Sequence, residues 1–483
     1  MELLYLLYML LLCGFLPLYM NVGYYELGEA KALCYLVISI PFVIILLIRE
    51  LVRYRKEAGE EGMALDNNID KFFLYGTLFS FFISWLFSVD KKVAFFGYEG
   101  WRNGLLTTLV AISFCIFISK SGFFKSQILA LFLLVPFFEF ALSILNRMSI
   151  FPFMIAGQNS SFVATIGNIN WFSGFLSIWV PLGVGFMFVQ KRFSFRFFLL
   201  GIYTIVGLVA LFLQGSEGAG LIICACYGLL LWYGTLDREN FKAFLIQAIV
   251  LGISMSIVDI LMMFAGSYYN YSDNLLLVIC RYHVGAIIIA AAFFVYRVSR
   301  LFEEIKVSFY SKTYKKIYIV VIVAALATAI VLLIMNFSED FGNGRGIIWR
   351  MCAEIYAGLS PWQKLVGIGQ DCLYPYAMSD GYWNRSFTNV FNGAALTNAH
   401  CELLTVLLER GLIGAITYLG LFISVIFKLA MAKEKEHAKV ICALPVISYF
   451  IFNQISFPQV TSMPYCLILI GIAINLSGGQ ESE

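Results

Sequence analysis

The sequence predicts an all-α, polytopic membrane protein of about fourteen transmembrane helices (12–14), with one large outer-face loop containing amphipathic helices. Three observations predict it. Of 483 residues, 61% are hydrophobic and only 13% are charged, where soluble domains carry about 25% charged residues. Apolar stretches of about 17–22 residues recur from end to end, each long enough to cross a bilayer as a helix. Lys and Arg are also concentrated in every second connection, as the positive-inside rule requires.

In chain order the expected spans are 3–20, 32–48, 72–88, 104–119, 127–145, 170–189, 197–213, 218–234, 242–264, 275–296, 317–335, 412–430, 438–453 and 462–476. The first lacks a charged leading region and a small-residue cleavage site, so it reads as a permanent span rather than a signal peptide. With the N-terminus inside, the inner connections carry Arg49, Arg53, Arg55, Lys56 and Lys71, then Lys120 and Lys125, then Lys191, Arg192 and Arg196. Arg238 and Lys242 follow, then six cations from Arg297 to Lys316 and four from Lys428 to Lys439. The short outer connections hold only Lys31, Lys91, Lys92, Arg102 and Arg147. Both termini are therefore expected in the cytoplasm, and the 49–71 connection reads as a solvated linker. No soluble domain, internal repeat or low-complexity tail is visible, and a net charge of +3 does not suggest a nucleic-acid partner.

The chain thus divides into eleven spans (1–335), a large extracytoplasmic loop (336–411), and three last spans with a cytoplasmic C-terminus (412–483). Within the loop, GRGIIWRMCAEIYAGLS (344–360) has apolar residues at 347, 348, 351, 352, 355 and 356. That is the stripe of an amphipathic helix, expected to lie along the membrane surface or against the bundle. SPWQKLVGIGQD (360–371) reads as a turn and 371–396 as irregular. Asn398 reads as the cap of a helix that begins near His400 and runs on into span twelve. Trp349, Trp362 and Trp383, with both charge signs, give a composition able to fold, and a loop of this length is usually functional.

The chain has no Asp-x-Asp, Cys-x-x-Cys, His-Glu-x-x-His or Gly-rich phosphate loop, and only three histidines. No metal and no cofactor are expected. The eleven cysteines fall mostly within spans and read as small apolar fillers; only Cys352, Cys372 and Cys401 lie outside, where one pair could form a disulfide. His400 is the leading candidate for chemistry. A helix N-terminus disfavours imidazolium, and a neutral imidazole can take a proton from a hydroxyl; the alternative is a merely hydrogen-bonded interfacial histidine. Glu402 reads as first-turn electrostatics, and Glu409 and Arg410 as rim charges. Arg345 has the donor fork that suits phosphate oxygens, whereas Arg350 has an i, i+4 partner in Glu354. Arg281 and His283 fall within span ten. Arg281, roughly 9 Å in, either snorkels to the outer interface or acts as a functional intramembrane charge.

Together these residues bring a family into view. GRGIIWR (344–350), LVGIGQD (365–371) and AHCELLTVLLERGLIGAITYLGLF (399–422) resemble, in order, motifs of the O-antigen ligase and polymerase family. TIGNINWFSGFLSIWVPLGVG (165–185) looks like the family's Gly-Asn-x-Asn span, and FFGYEGWRNGLLTTL (95–109) is similar to its outer-loop Gly/Arg element. The resemblance implies a metal-independent membrane glycosyltransferase of bacterial cell-surface polysaccharide biosynthesis. It would move a glycan from a polyprenyl-diphosphate carrier to an acceptor hydroxyl on a glycan, lipid or wall polymer, at the outer face of the cytoplasmic membrane. His400 and Arg345 would be catalytic, as base and diphosphate ligand. Arg350, Arg281, Glu402, Glu217, Asn168, Asn170 and Arg102 would bind substrate. Two departures stand out: Cys401 replaces the Asn of His-Asn-Glu, and Glu217 in GSEGAG (215–220) stands where ligases carry an arginine. Arg281 is expected to supply the missing cation or to pair with Glu217. A transporter or flippase of the same lipid-linked glycan, and a membrane scaffold, are the alternative classes.

Overall fold

In a computed structural model the chain is helical almost throughout. The structure describes residues 2–57, 68–121, 132–301, 312–431 and 437–478. The expected inner-side cations Lys125, Lys306, Lys433 and Lys435, the middle of the 49–71 linker and the start of the 127–145 span lie outside them. A helix occupies each expected apolar stretch. Among the described residues, seven helices are long and apolar enough to cross a membrane, or eight if one bent pair counts as a span. Shorter apolar helices cover Glu2–Phe15, Leu105–Ser121, Ala219–Gly234 and Met463–Leu476. The protein is therefore an all-α, multi-pass membrane protein.

The chain forms two compact units. The first comprises Met1–Lys125, Gly344–Lys428 and Asn453–Glu483. In it the Leu105–Ser121 helix packs along Met463–Gly478 and against Leu27–Glu57. Lys31 is buried and donates to the carbonyls of Leu16, Pro17 and Tyr19, closing the C-terminal end of the first helix as a cation does well.

This unit also holds most of the 336–411 segment, which packs around a small apolar core. Met351, Cys352 and Ile355 from Phe341–Gly358 meet Ile368, Leu373, Ala377, Phe387, Ala399 and Leu408. The amphipathic stripe at 344–360 thus faces the loop's own interior. The stretch expected as a turn begins with a helix, Pro361–Val366. Ser360 and Gln363 form a reciprocal capping box and Pro361 stands in the first turn. The stretch expected as irregular contains two helices, Leu373–Ser379 and Gly381–Phe391; the carboxylate of Asp380 caps the second by accepting from the Tyr382 and Trp383 amides.

The second unit comprises Ser126–Asn343 and Leu429–Phe452. Its central helix, Ile169–Val189, has 94% of its most apolar window buried and packs against Phe195–Leu213 and His437–Phe452. Arg147, counted among the outer cations, is 1% exposed and donates to the carbonyls of Gln214 (3.0 Å) and Ser160 (2.6 Å). It is an internal pin, which removes it from the charge bias of the loops.

Span ten is not one straight helix. Leu275–Arg281 and Val284–Ser299 meet at 67°, with His283 in the left-handed region at φ +56. The break lets the His283 ring reach Asp259 on Arg238–Ala265, Nδ1 to Oδ2 at 2.5 Å. Beside it Gly252 and Gly285 bring the two helices into backbone contact: a Cβ on Gly285 would lie 2.5 Å from the Gly252 carbonyl oxygen.

Candidate active site

The site is built on a helix that turns back on itself. The sequence places a continuous helix from His400 into span twelve; instead the helix begins at Glu402, and Gly411 interrupts it at φ 63, ψ −163. The chain doubles back there. A Cβ on Gly414 would lie 3.6 Å from a methyl of Val406, eight residues earlier. Glu402 and Tyr418 also interact through their side chains, although a straight helix would set them about 24 Å apart. Residues 402–410 are therefore a short helix laid against the span. Residues 411–430 remain to cross the membrane, roughly 30 Å of helix.

Such a break strands the last carbonyls of the short helix. The 367–371 turn satisfies them: Ile368 N–H donates to Leu408 O and Gly369 N–H to Glu409 O, each at 3.0 Å. The Ser84 hydroxyl also donates to Glu409 O. The approach is too close for any side chain. A Cβ on Gly367 (φ +85) would sit 2.0 Å from Glu409 O, and one on Gly411 2.4 Å from the Leu365 carbonyl carbon.

Asp371, at φ +52 and 5% exposed, ties in a third segment. Its own N–H donates to Glu409 Oε1 at 2.9 Å. Its carboxylate accepts the Tyr98 amide at 3.1 Å and a backbone hydrogen bond from Asn103. Burial pushes this carboxyl up to about 7, with the two amide donors opposing. In the 97–104 loop, Arg102 pairs with Glu29 (Nε to Oε1, 2.5 Å), whose other oxygen takes the Gly100 N–H at 2.9 Å. The Asn103 side chain donates to Pro458 O at 3.0 Å.

His400 stands just before the short helix, at φ +49, its N–H held by Asn398 Oδ1 at 3.0 Å. Asn398 therefore turns the chain ahead of the helix rather than capping its first turn. The Ala399 N–H donates to the Thr405 hydroxyl, also at 3.0 Å. The imidazole lies edge-on to Phe457, centroids 5.4 Å apart, and its Nδ1 is buried with no hydrogen-bond partner among the described residues. Burial first, and then the charge of Arg345, lower its pKa to about 4, against a backbone hydrogen bond with Asn398. The neutral ring expected from the helix dipole thus has burial as its leading cause.

Arg345 lies near the start of Phe341–Gly358, directly after Gly344 at φ +84, close enough for its charge to act on His400. Arg350 is exposed and pairs with Glu354 at 3.8 Å. Glu409 and Arg410 are not rim charges: they are 8% and 4% exposed, because the turned-back helix encloses them. The Arg410 guanidinium stacks over the Phe81 ring at 4.0 Å. Glu402, also buried, faces Arg410 and Tyr418.

Four expected substrate residues belong to the second unit. Asn168 caps Ile169–Val189 by accepting the Asn170 amide at 2.9 Å, and Asn170 Oδ1 accepts the Ser216 hydroxyl at 3.1 Å. Glu217 is exposed. Arg281 pairs with Asp273, two residues ahead of the short helix Leu275–Arg281. The expected pairing of Arg281 with Glu217 is thus replaced by a local ion pair across the first turns of the broken span.

Among the described residues, no three His, Cys, Asp or Glu side chains converge as a metal site, and the cysteines are free thiols. What the first unit assembles is a buried neutral imidazole, able to accept a proton, beside a guanidinium able to stabilise an anion. Asp371, Asn103 and Phe457 went unread in the sequence; only the position of Asp371, two residues after the Gly-x-Gly turn, hinted at it. No protein-family model matches the chain, and no curated protein matches it.

Proposed function

We propose that the chain is a bacterial membrane glycosyltransferase that moves a glycan from a polyprenyl-diphosphate carrier to an acceptor hydroxyl, in the manner of O-antigen ligases and polymerases. The observation that carries this reading is His400: buried, neutral and beside Arg345, in a folded loop between apolar helices. The donor is already activated by its diphosphate. Two tasks remain, to deprotonate the acceptor and to stabilise the departing charge. His400 performs the first and Arg345 the second. Arg350 has a smaller part because Glu354 already engages it. Three of the five motif segments that resemble the family, 95–109, 365–371 and 399–422, are joined through Asp371 and Glu409, which supports reading these three together.

In this account the fourteen apolar helices are spans of the cytoplasmic membrane, the termini are cytoplasmic and 336–411 faces outward, as the Lys and Arg distribution favours. The test compares envelope glycans from wild-type, deletion and His400→Ala strains. Shortened chains in both altered strains identify a polymerase; unattached chains of normal length identify a ligase. Normal glycans in the His400→Ala strain remove the catalytic assignment. One observation favours a second reading, a lipid-linked glycan transporter: the 67° break in span ten with Asp259 and His283 paired beside it, since transporters place polar pairs at broken helices.

A further inference from the structure

We infer that Asp371 is a positioning residue for His400, holding the two segments against which the imidazole rests. The inference deepens the proposed function and rests on His400 being its base. Two routes run from Asp371 to His400. By the first, the Asp371 N–H holds Glu409 (2.9 Å) near the end of the 402–410 helix. The start of that helix holds the residues flanking His400: Thr405 N–H donates to Cys401 O at 2.9 Å and the Thr405 hydroxyl accepts from Ala399 N–H at 3.0 Å.

By the second route, the Asp371 carboxylate takes the amides of Tyr98 and Asn103. The Asn103 side chain in turn holds Pro458 O at 3.0 Å, and the neighbouring Phe457 supplies the ring that packs edge-on against His400. One side of the imidazole is thus set through Glu409 and the other through Asn103.

The choice of residue follows from the second route, since the N–H of the first is kept by any residue but proline. A carboxylate offers acceptor sites enough for two amides, an asparagine has one acceptor oxygen, and an alanine has none. A left-handed, non-glycine conformation at a buried site persists when surrounding bonds over-determine it, and here three bonds from two segments do so. The titratable groups around Asp371 are Glu409 and Arg410 on the short helix, Cys372 beside it and Asp90, whose carbonyl accepts the Cys372 thiol. Tyr98 and Arg102 follow on the facing loop, the latter held by Glu29.

The test uses the full chain in detergent and reads alkylation of Cys401, half-buried beside His400, by peptide mass spectrometry. A cysteine placed at Tyr382, 64% exposed in the loop, serves as the internal control. Asp371→Ala is expected to raise the Cys401 rate about tenfold through local opening, with the control unchanged. Asp371→Asn, which keeps one acceptor, is expected to restore most of the protection. In a transfer assay both variants should lower kcat with little change in KM, whereas general loosening of the fold would move both. A Cys401 rate equal to wild type in Asp371→Ala overturns the inference. If that variant does not fold, Asn103→Ala, which removes the tie to Pro458, is expected to raise the Cys401 rate likewise, and an unchanged rate overturns the inference instead. Because alkylation needs no substrate, a chain that transfers no glycan would defeat the functional reading while leaving the positioning result readable.

Discussion

At His400, burial and the Arg345 charge act on one imidazole in the same direction and keep it neutral. His400→Ala should lower glycan transfer by about 10²–10⁴-fold, the usual worth of a general base, while lipid-linked donor still binds. The acid limb of the wild-type rate should lie near pH 4 and not near the ordinary 6.5; a limb at 6.5 would mean that the ring is solvated. Stability should respond with opposite signs at two groups. His400 is depressed from 6.5 to about 4, so its contribution is complete above 6.5 and is lost as pH falls towards 4. Asp371 is raised from 3.8 to about 7, so its contribution is present below 3.8 and is lost as pH rises through 7. Melting temperatures of Asp371→Asn should accordingly gain on wild type between pH 5 and pH 8. Arg281→Ala should cost no more than about 1 kcal/mol, because its pair with Asp273 is solvent-exposed, and should leave transfer intact.

Among the elements, the reversal at Gly411 decides what the short helix can hold. Gly411→Ala puts a Cβ into the Leu365 backbone at a left-handed φ. It should destabilise the protein by about 1–3 kcal/mol and expose Glu409 and Arg410, read as a lower melting temperature and faster amide exchange over 402–411. The reversal was not legible in ERGLIGAI. An apolar run with two glycines has the same periodicity whether it continues or turns, and only the crossing 365–369 backbone selects the turn. For the same reason Glu409 and Arg410 read as rim charges in sequence: the enclosure that buries them is tertiary. The Pro361–Val366 helix, by contrast, was present in the sequence as the Ser-x-x-Gln capping box and needed only to be recognised. Helices in the apolar stretches were the most legible elements, because in a bilayer length and apolarity alone demand a helix. The exception, span ten, breaks where His283 meets Asp259, a pairing set by another helix.

For the whole molecule, the charge pattern predicts that 336–411 faces outward with both termini inside. Single-cysteine labelling with a membrane-impermeant reagent should reach a cysteine placed at Tyr382, exposed at 64%, in intact cells, and should reach one at Lys428 only after lysis. Of the candidate site, His400 and Arg345 were readable because their chemistry is carried by residue type and position relative to helices. Asp371, Asn103 and Phe457 were not, because each acts through contacts between segments far apart in sequence. Whether the chain makes a bond is read from the purified protein reconstituted in liposomes with a polyprenyl-diphosphate-linked glycan and an acceptor glycan, with release of polyprenyl diphosphate measured. The wild type should release it as a new glycosidic bond forms, and His400→Ala should not; movement of the intact lipid-linked glycan across the bilayer without bond cleavage would identify a transporter instead.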